Sequence, residues 1–71
     1  MTIHDFILAT APNVDVRVHV IDSETIAGRT GARNTAKFVN MLTEKGYINA
    51  HVTMYYPLYT AREVYVECLL C

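Results

Sequence analysis

Tryptophan is absent from the 71 residues, which hold only two cysteines, two prolines and three glycines. Both cysteines, Cys68 and Cys71, stand at the C-terminal end of the sequence. They are too close together to close a long loop, so a disulfide scaffold is excluded. Charge is scarce as well, with 18% charged residues and a formal net charge of −1. No overall field therefore draws nucleic acid or an anionic membrane, and any electrostatic function has to be local. No stretch approaches the roughly 18–20 apolar residues of a membrane-spanning helix. The segment from Met1 to Pro12 has a short apolar run but carries Asp5 and no basic residues ahead of the run, unlike a secretory signal. The expected location is cytoplasmic, with no membrane contact.

What remains is apolar: 52% of the residues are hydrophobic, which excludes disorder. A chain of this length forms one domain, residues 1–71, around one core. Such a core rarely supplies more than about 3–5 kcal/mol of net stability, so small domains often gain support from a metal, a disulfide or a partner chain.

The hydrophobic period changes several times. Thr2 and Asp5 match a capping box, and Ile3, Phe6, Ile7 and Ala11 repeat at helical spacing until Pro12 and Asn13 end the helix. Val14, Val16, Val18 and Val20 then alternate with Asp15, Arg17 and His19, the mark of a half-buried strand. Asp22-Ser23 supplies a turn, Glu24 to Ala27 is a short returning strand, and Gly28 and Gly31 open a loop. A second helix is expected from Ala32 to Lys45, burying Ala32, Thr35, Phe38, Val39 and Leu42, with Gly46 as its left-handed terminator. Ala50, Val52 and Met54, set against His51, Thr53 and Tyr55, predict a third strand ended by Pro57. Val64, Val66, Cys68 and Leu70, alternating with Glu63, Tyr65, Glu67 and Leu69, predict a fourth. The order α-β-(β)-α-β-β implies an α+β fold of two layers, a mainly antiparallel sheet of three or four strands with two helices on one face.

No nucleophile elbow, Walker loop, zinc-protease helix, calcium loop or dinucleotide fingerprint occurs, so no enzyme active site, metal site or cofactor is expected. His4, His19 and His51 are isolated residues without the i,i+4 spacing of a helical metal pair. Cys68-Leu69-Leu70-Cys71 has the form of half a zinc site, a redox pair or a prenylation box. It lacks a second cysteine pair, a thioredoxin context and a polybasic neighbour, and reads as two thiols finishing an apolar strand.

The most informative polar stretch is Gly28 to Lys37. Arg29, Arg33 and Lys37 recur every four residues, and no acid falls between Glu24 and Glu44. A glycine-bounded entry into a helix suits an anion or nucleic-acid phosphate, which makes Arg29, Thr30, Gly31, Arg33 and Lys37 the candidate ligands. Gly28-Arg29-Thr30-Gly31 resembles the backbone-clamping loop of KH domains, although that loop joins two helices and a strand precedes this one. The alternative is a solvated helix face.

All five tyrosines fall in the last third of the sequence. Tyr55, Tyr56, Tyr59 and Tyr65 are candidate partner-binding residues, because tyrosine buries a large ring at low entropic cost. Cross-strand stacking of Tyr55 on Tyr65 is the competing role. Tyr65, Leu69 and Cys71 make the outer face of the last strand apolar, so a homodimer through an open edge of that strand is expected.

In size and layout, and in the Thr2-x-x-Asp5-Phe6-Ile7 opening before Asn13-Val-Asp-Val-Arg-Val18, the chain resembles small accessory proteins of phages and mobile elements, including anti-CRISPR inhibitors. The resemblance covers about the first third. It implies a non-enzymatic protein that occupies a surface of a host protein or protein complex. The alternative function is a small anion- or nucleic-acid-binding domain built on Gly28 to Lys37.

Overall fold

The computed structural model describes residues 1–57 and 62–70. Helix α1 spans Ile3–Ala9, strand β1 Asp15–Val20, strand β2 Thr25–Arg29, helix α2 Ala32–Glu44, strand β3 His51–Pro57 and strand β4 Glu63–Leu69. The expected order of elements is observed, and the fold is α+β.

The sheet runs β2-β1-β4-β3. It is two hairpins set side by side: β1 with β2 and β3 with β4 are antiparallel, while the inner strands β1 and β4 are parallel. The parallel pairing follows from α2, which carries the chain from the first hairpin to the second. This order corrects one expectation. Strand β4 is paired on both sides and offers no open edge; the edges of the sheet are β2 and β3.

One face of the sheet is buried under both helices. Val16, Val18, Val20, Val66 and Cys68 are fully buried and meet Ile3, Ile7, Phe38 and Leu42 in one cluster. Helix α1 begins in the expected capping box, Thr2 Oγ1 accepting from the Asp5 amide at 3.2 Å while Asp5 Oδ2 accepts from the Thr2 amide. It is shorter than Ala11 implied, because Thr10 takes up extended geometry as its C-cap. Main-chain bonds from Ile3 N to Ala50 O (2.8 Å) and from Val52 N to Met1 O (2.9 Å) stitch this short helix to the segment around β3. Helix α2 buries Phe38 and Leu42, with Val39 partly buried, but Ala32 is exposed and Thr35 is only half-buried, its Oγ1 accepting from the Gly31 amide. Gly46, at φ +81°, ends the helix in the left-handed region as expected.

Gly28 does not open a loop. It lies inside β2, paired with Val16, and the ring of Phe38 occupies the space that a Cβ would need. A glycine here lets α2 approach the sheet.

Candidate functional site

A break in period determines what the outer face presents. The β3–β4 register shifts between Val52 and Met54, a bulge at Thr53 whose hydroxyl donates to Glu67 O at 3.2 Å. Beyond it every side chain changes sides. Tyr55, opposite the buried Val66, stands on the helix side with its ring 5.2 Å from that of Phe6. Met54 and Tyr56 lie on the outer face instead. The expected Tyr55–Tyr65 stack is therefore corrected: Tyr56 meets Tyr65, with ring centroids 5.1 Å apart.

His19 extends this pair into a row, its ring nearly parallel to Tyr65 at 6.2 Å and its Nδ1 2.9 Å from the Thr25 hydroxyl. The three rings cross the outer face from β1 through β4 to β3. Met54, Tyr56 and Leu69 are each between 42% and 45% exposed, so no layer of the described residues covers this side. Asp15, Arg17, Arg29, Glu63 and Glu67 complete the face, and Arg29 leans on Asp15 with Nε 3.5 Å from Oδ1. The Tyr65 hydroxyl donates to Glu67 Oε1 at 3.3 Å. Partial desolvation first, then the Glu67 carboxylate and its hydrogen bond, and finally Tyr56, raise the Tyr65 pKa above the ordinary tyrosine value.

The candidate partner-binding tyrosines thus do not form one patch. Tyr56 and Tyr65 share the outer face, Tyr55 sits on the opposite side, and Tyr59 lies outside the described residues. Tyr47 serves the fold: its hydroxyl donates to Glu24 Oε2 at 2.9 Å and lies 2.8 Å from Ser23 Oγ, tying the β1–β2 turn to the end of α2. Of the expected dimer residues, Tyr65 and Leu69 are on the outer face and Cys71 lies outside the described residues.

The candidate anion loop is largely used up by the fold. Thr30 is buried; its hydroxyl donates to Ala11 O at 2.5 Å and accepts from Val14 N at 3.1 Å. Its main chain pairs with Asn13 N and Val14 O at 2.8 and 2.9 Å. The Gly31 amide, the donor an anion would need, is given to Thr35 Oγ1 at 2.8 Å. Gly31 itself, at φ +109°, lies against Pro12 and Asn13, so its glycine character serves a close approach of chain segments. Arg33 and Lys37 remain exposed on α2. Lys37 and Arg29 line an open cleft of about 440 Å³ with Gly28, Asn34, Phe38 and Met41. Sequence reasoning missed this latch because a buried threonine hydroxyl has no periodic signature.

Cys68 is a core residue, and burial raises its thiol pKa. Among the described residues no group of His, Cys, Asp and Glu is arranged to hold a metal ion, and no helix is long and apolar enough to cross a membrane. Comparison with protein-family models, with curated proteins and with solved structures returns no match.

Proposed function

We propose that this chain is a non-enzymatic binding module that docks on a partner protein through the outer face of its sheet, in the manner of the small phage and mobile-element inhibitors it resembles. The observation that carries this reading is the row His19–Tyr65–Tyr56, in which Tyr56 is exposed and His19 and Tyr65 are half-buried, flanked by exposed Met54 and Leu69 with no layer of the described residues over it. Rigid aromatic groups on a paired sheet lose little entropy on binding and supply the central contacts that protein interfaces favour. Glu63 and Glu67 beside the row, with exposed Arg17 between them, suit a partner surface with an apolar centre and a margin of mixed charge.

Aromatic rings on a sheet also suit single-stranded nucleic acid, but Asp15, Glu63 and Glu67 outnumber Arg17 and Arg29 on this face, which gives a phosphate backbone no cationic track. On the other surface, Thr30 and Gly31 have committed their donors and Arg29 leans on Asp15, so a phosphate track there rests on Arg33 and Lys37 alone among the candidate ligands. The test uses the wild-type chain and the Tyr56→Ser/Tyr65→Ser variant as baits in a lysate of the source organism, alongside a labelled single-stranded oligonucleotide. Salt-resistant retention of one protein by the wild type, lost in the variant, is expected. Binding of the oligonucleotide that collapses as salt rises and vanishes in Arg33→Glu/Lys37→Glu overturns the reading in favour of nucleic acid.

A further inference from the structure

The two edges of the sheet are treated differently. Strand β3 is closed to further pairing by three devices: the Val52 amide is taken by Met1 O, the Thr53 bulge breaks the ladder, and Pro57 has no N–H to give. An isolated bridge between Thr2 and His51 adds to the first of these. Such devices are how natural sheets avoid edge-to-edge association.

Strand β2 has none of them. Among the described residues it pairs with β1 alone, and Thr25-Ile-Ala-Gly-Arg29 holds no proline, bulge or lysine. The bonds from Val20 N to Glu24 O and from Thr30 N to Val14 O set the alternation of the hairpin. By that alternation Glu24, Ile26, Gly28 and Thr30 turn their ladder groups toward β1, and Thr25, Ala27 and Arg29 turn theirs outward. The Arg29 side chain, the only charge in the strand, is drawn sideways to Asp15.

We infer that β2 pairs antiparallel with β2 of a second copy of this chain, about a two-fold axis through Ala27. The strand is complementary to itself in that register. Thr25 falls opposite Arg29 of the other copy and Ala27 opposite Ala27, so all three outward residues enter the ladder. The small alanine sits where two identical side chains must meet. On the helix side Ile26 falls opposite Gly28, which has no side chain of its own. It thus reaches the mouth of the cleft floored by Phe38 and Met41. Charge does not set this register: Glu24 is held within its own copy by Lys45 Nζ at 3.6 Å and by the Tyr47 hydroxyl at 2.9 Å, as Arg29 is by Asp15. The pairing joins two four-stranded sheets and enlarges a core that is small for independent stability.

Light scattering under reducing conditions through the micromolar range tests this. The wild type is expected to give twice the 8.0 kDa chain mass. Ala27→Pro removes the outward donor on the axis without touching a bond to β1, and Ala27→Asp stacks two like charges there. Each is expected to return the monomer mass with an unchanged circular dichroism spectrum; if the proline variant fails to fold, the aspartate variant decides. A wild-type monomer at all concentrations overturns the inference and leaves the edge to a foreign strand. A dimer that survives Ala27→Asp but is lost in Tyr56→Ser/Tyr65→Ser also overturns it, placing the contact on the outer face. The first outcome leaves the outer-face reading untouched, whereas the second gives that face to a second copy of this chain and overturns that reading as well.

Discussion

The two faces of this sheet are made by the same strands, yet they do opposite things. On the helix side, β1 and β4 contribute a continuous layer of Val16, Val18, Val20, Val66 and Cys68, all fully buried, with Val64 partly buried beside them. On the other side the alternate residues of the same strands give His19, Arg17, Tyr65 and Glu67, with Tyr56 and Met54 added from β3, and no layer of the described residues covers them. The difference teaches that a 71-residue chain can place its folding energy on one face and leave large aromatic groups free on the other. The bulge at Thr53 is the device that brings Tyr56, rather than Tyr55, to the free side.

Substitution on the buried face has the largest expected effect. Val18→Asp places an unpaired carboxylate where no solvent reaches, at a cost of several kcal/mol that a domain of this size cannot absorb. The variant is expected to lose its cooperative thermal transition; a soluble variant melting like the wild type would mean that the two faces are assigned backwards.

A smaller loss is expected where the faces meet the chain ends. Thr30→Val keeps the shape but leaves Ala11 O and Val14 N without the Thr30 hydroxyl, at a cost of about 1–3 kcal/mol. Chemical denaturation measures it, and an unchanged midpoint would remove the latch role and reopen Gly28 to Lys37 as a binding loop.

The smallest effect is a titration. Because Tyr65 has a raised pKa, folding favours its neutral form; that contribution is complete below the ordinary tyrosine range and is lost as pH climbs through the raised value. Ultraviolet absorbance is expected to show one tyrosine ionising late, and Glu67→Gln to bring it only part of the way back, since desolvation is the larger cause. A full return would show Tyr65 to be as hydrated as a free side chain.

Much of the fold was legible from period and punctuation. The Thr2–Asp5 box, the valine alternation from Val16 to Val20, the Gly46 terminator and the order of elements are all local signals, and each is realised. Pairing partners are not local. Nothing within Glu63 to Leu69 distinguishes an inner strand from an edge, so the open edge was expected at β4 when it belongs to β2. The candidate site was half legible: tyrosine richness pointed to Tyr56 and Tyr65, but alternation carried through Thr53 put Tyr55 on the wrong side. A bulge of one residue is invisible to a period of two. The basic segment misled for another reason. Glycine and threonine before a helix suit an anion, but they equally suit a buried crossing of chain segments, and here Ala11, Asn13 and Val14 occupy the donors and acceptors.

The claim that the outer row is free of structural duty can be tested by one thermal melt, that of Tyr56→Ser/Tyr65→Ser beside the wild type. The variant removes two cross-strand pairs, His19–Tyr65 and Tyr56–Tyr65, each contributing roughly 0.2–1 kcal/mol, which in a domain of this size corresponds to a combined shift of at most about 16 °C. The account predicts a cooperative transition within that shift. A variant that unfolds or melts without cooperativity would contradict it, because the aromatic row would then be holding the sheet together rather than waiting for a partner.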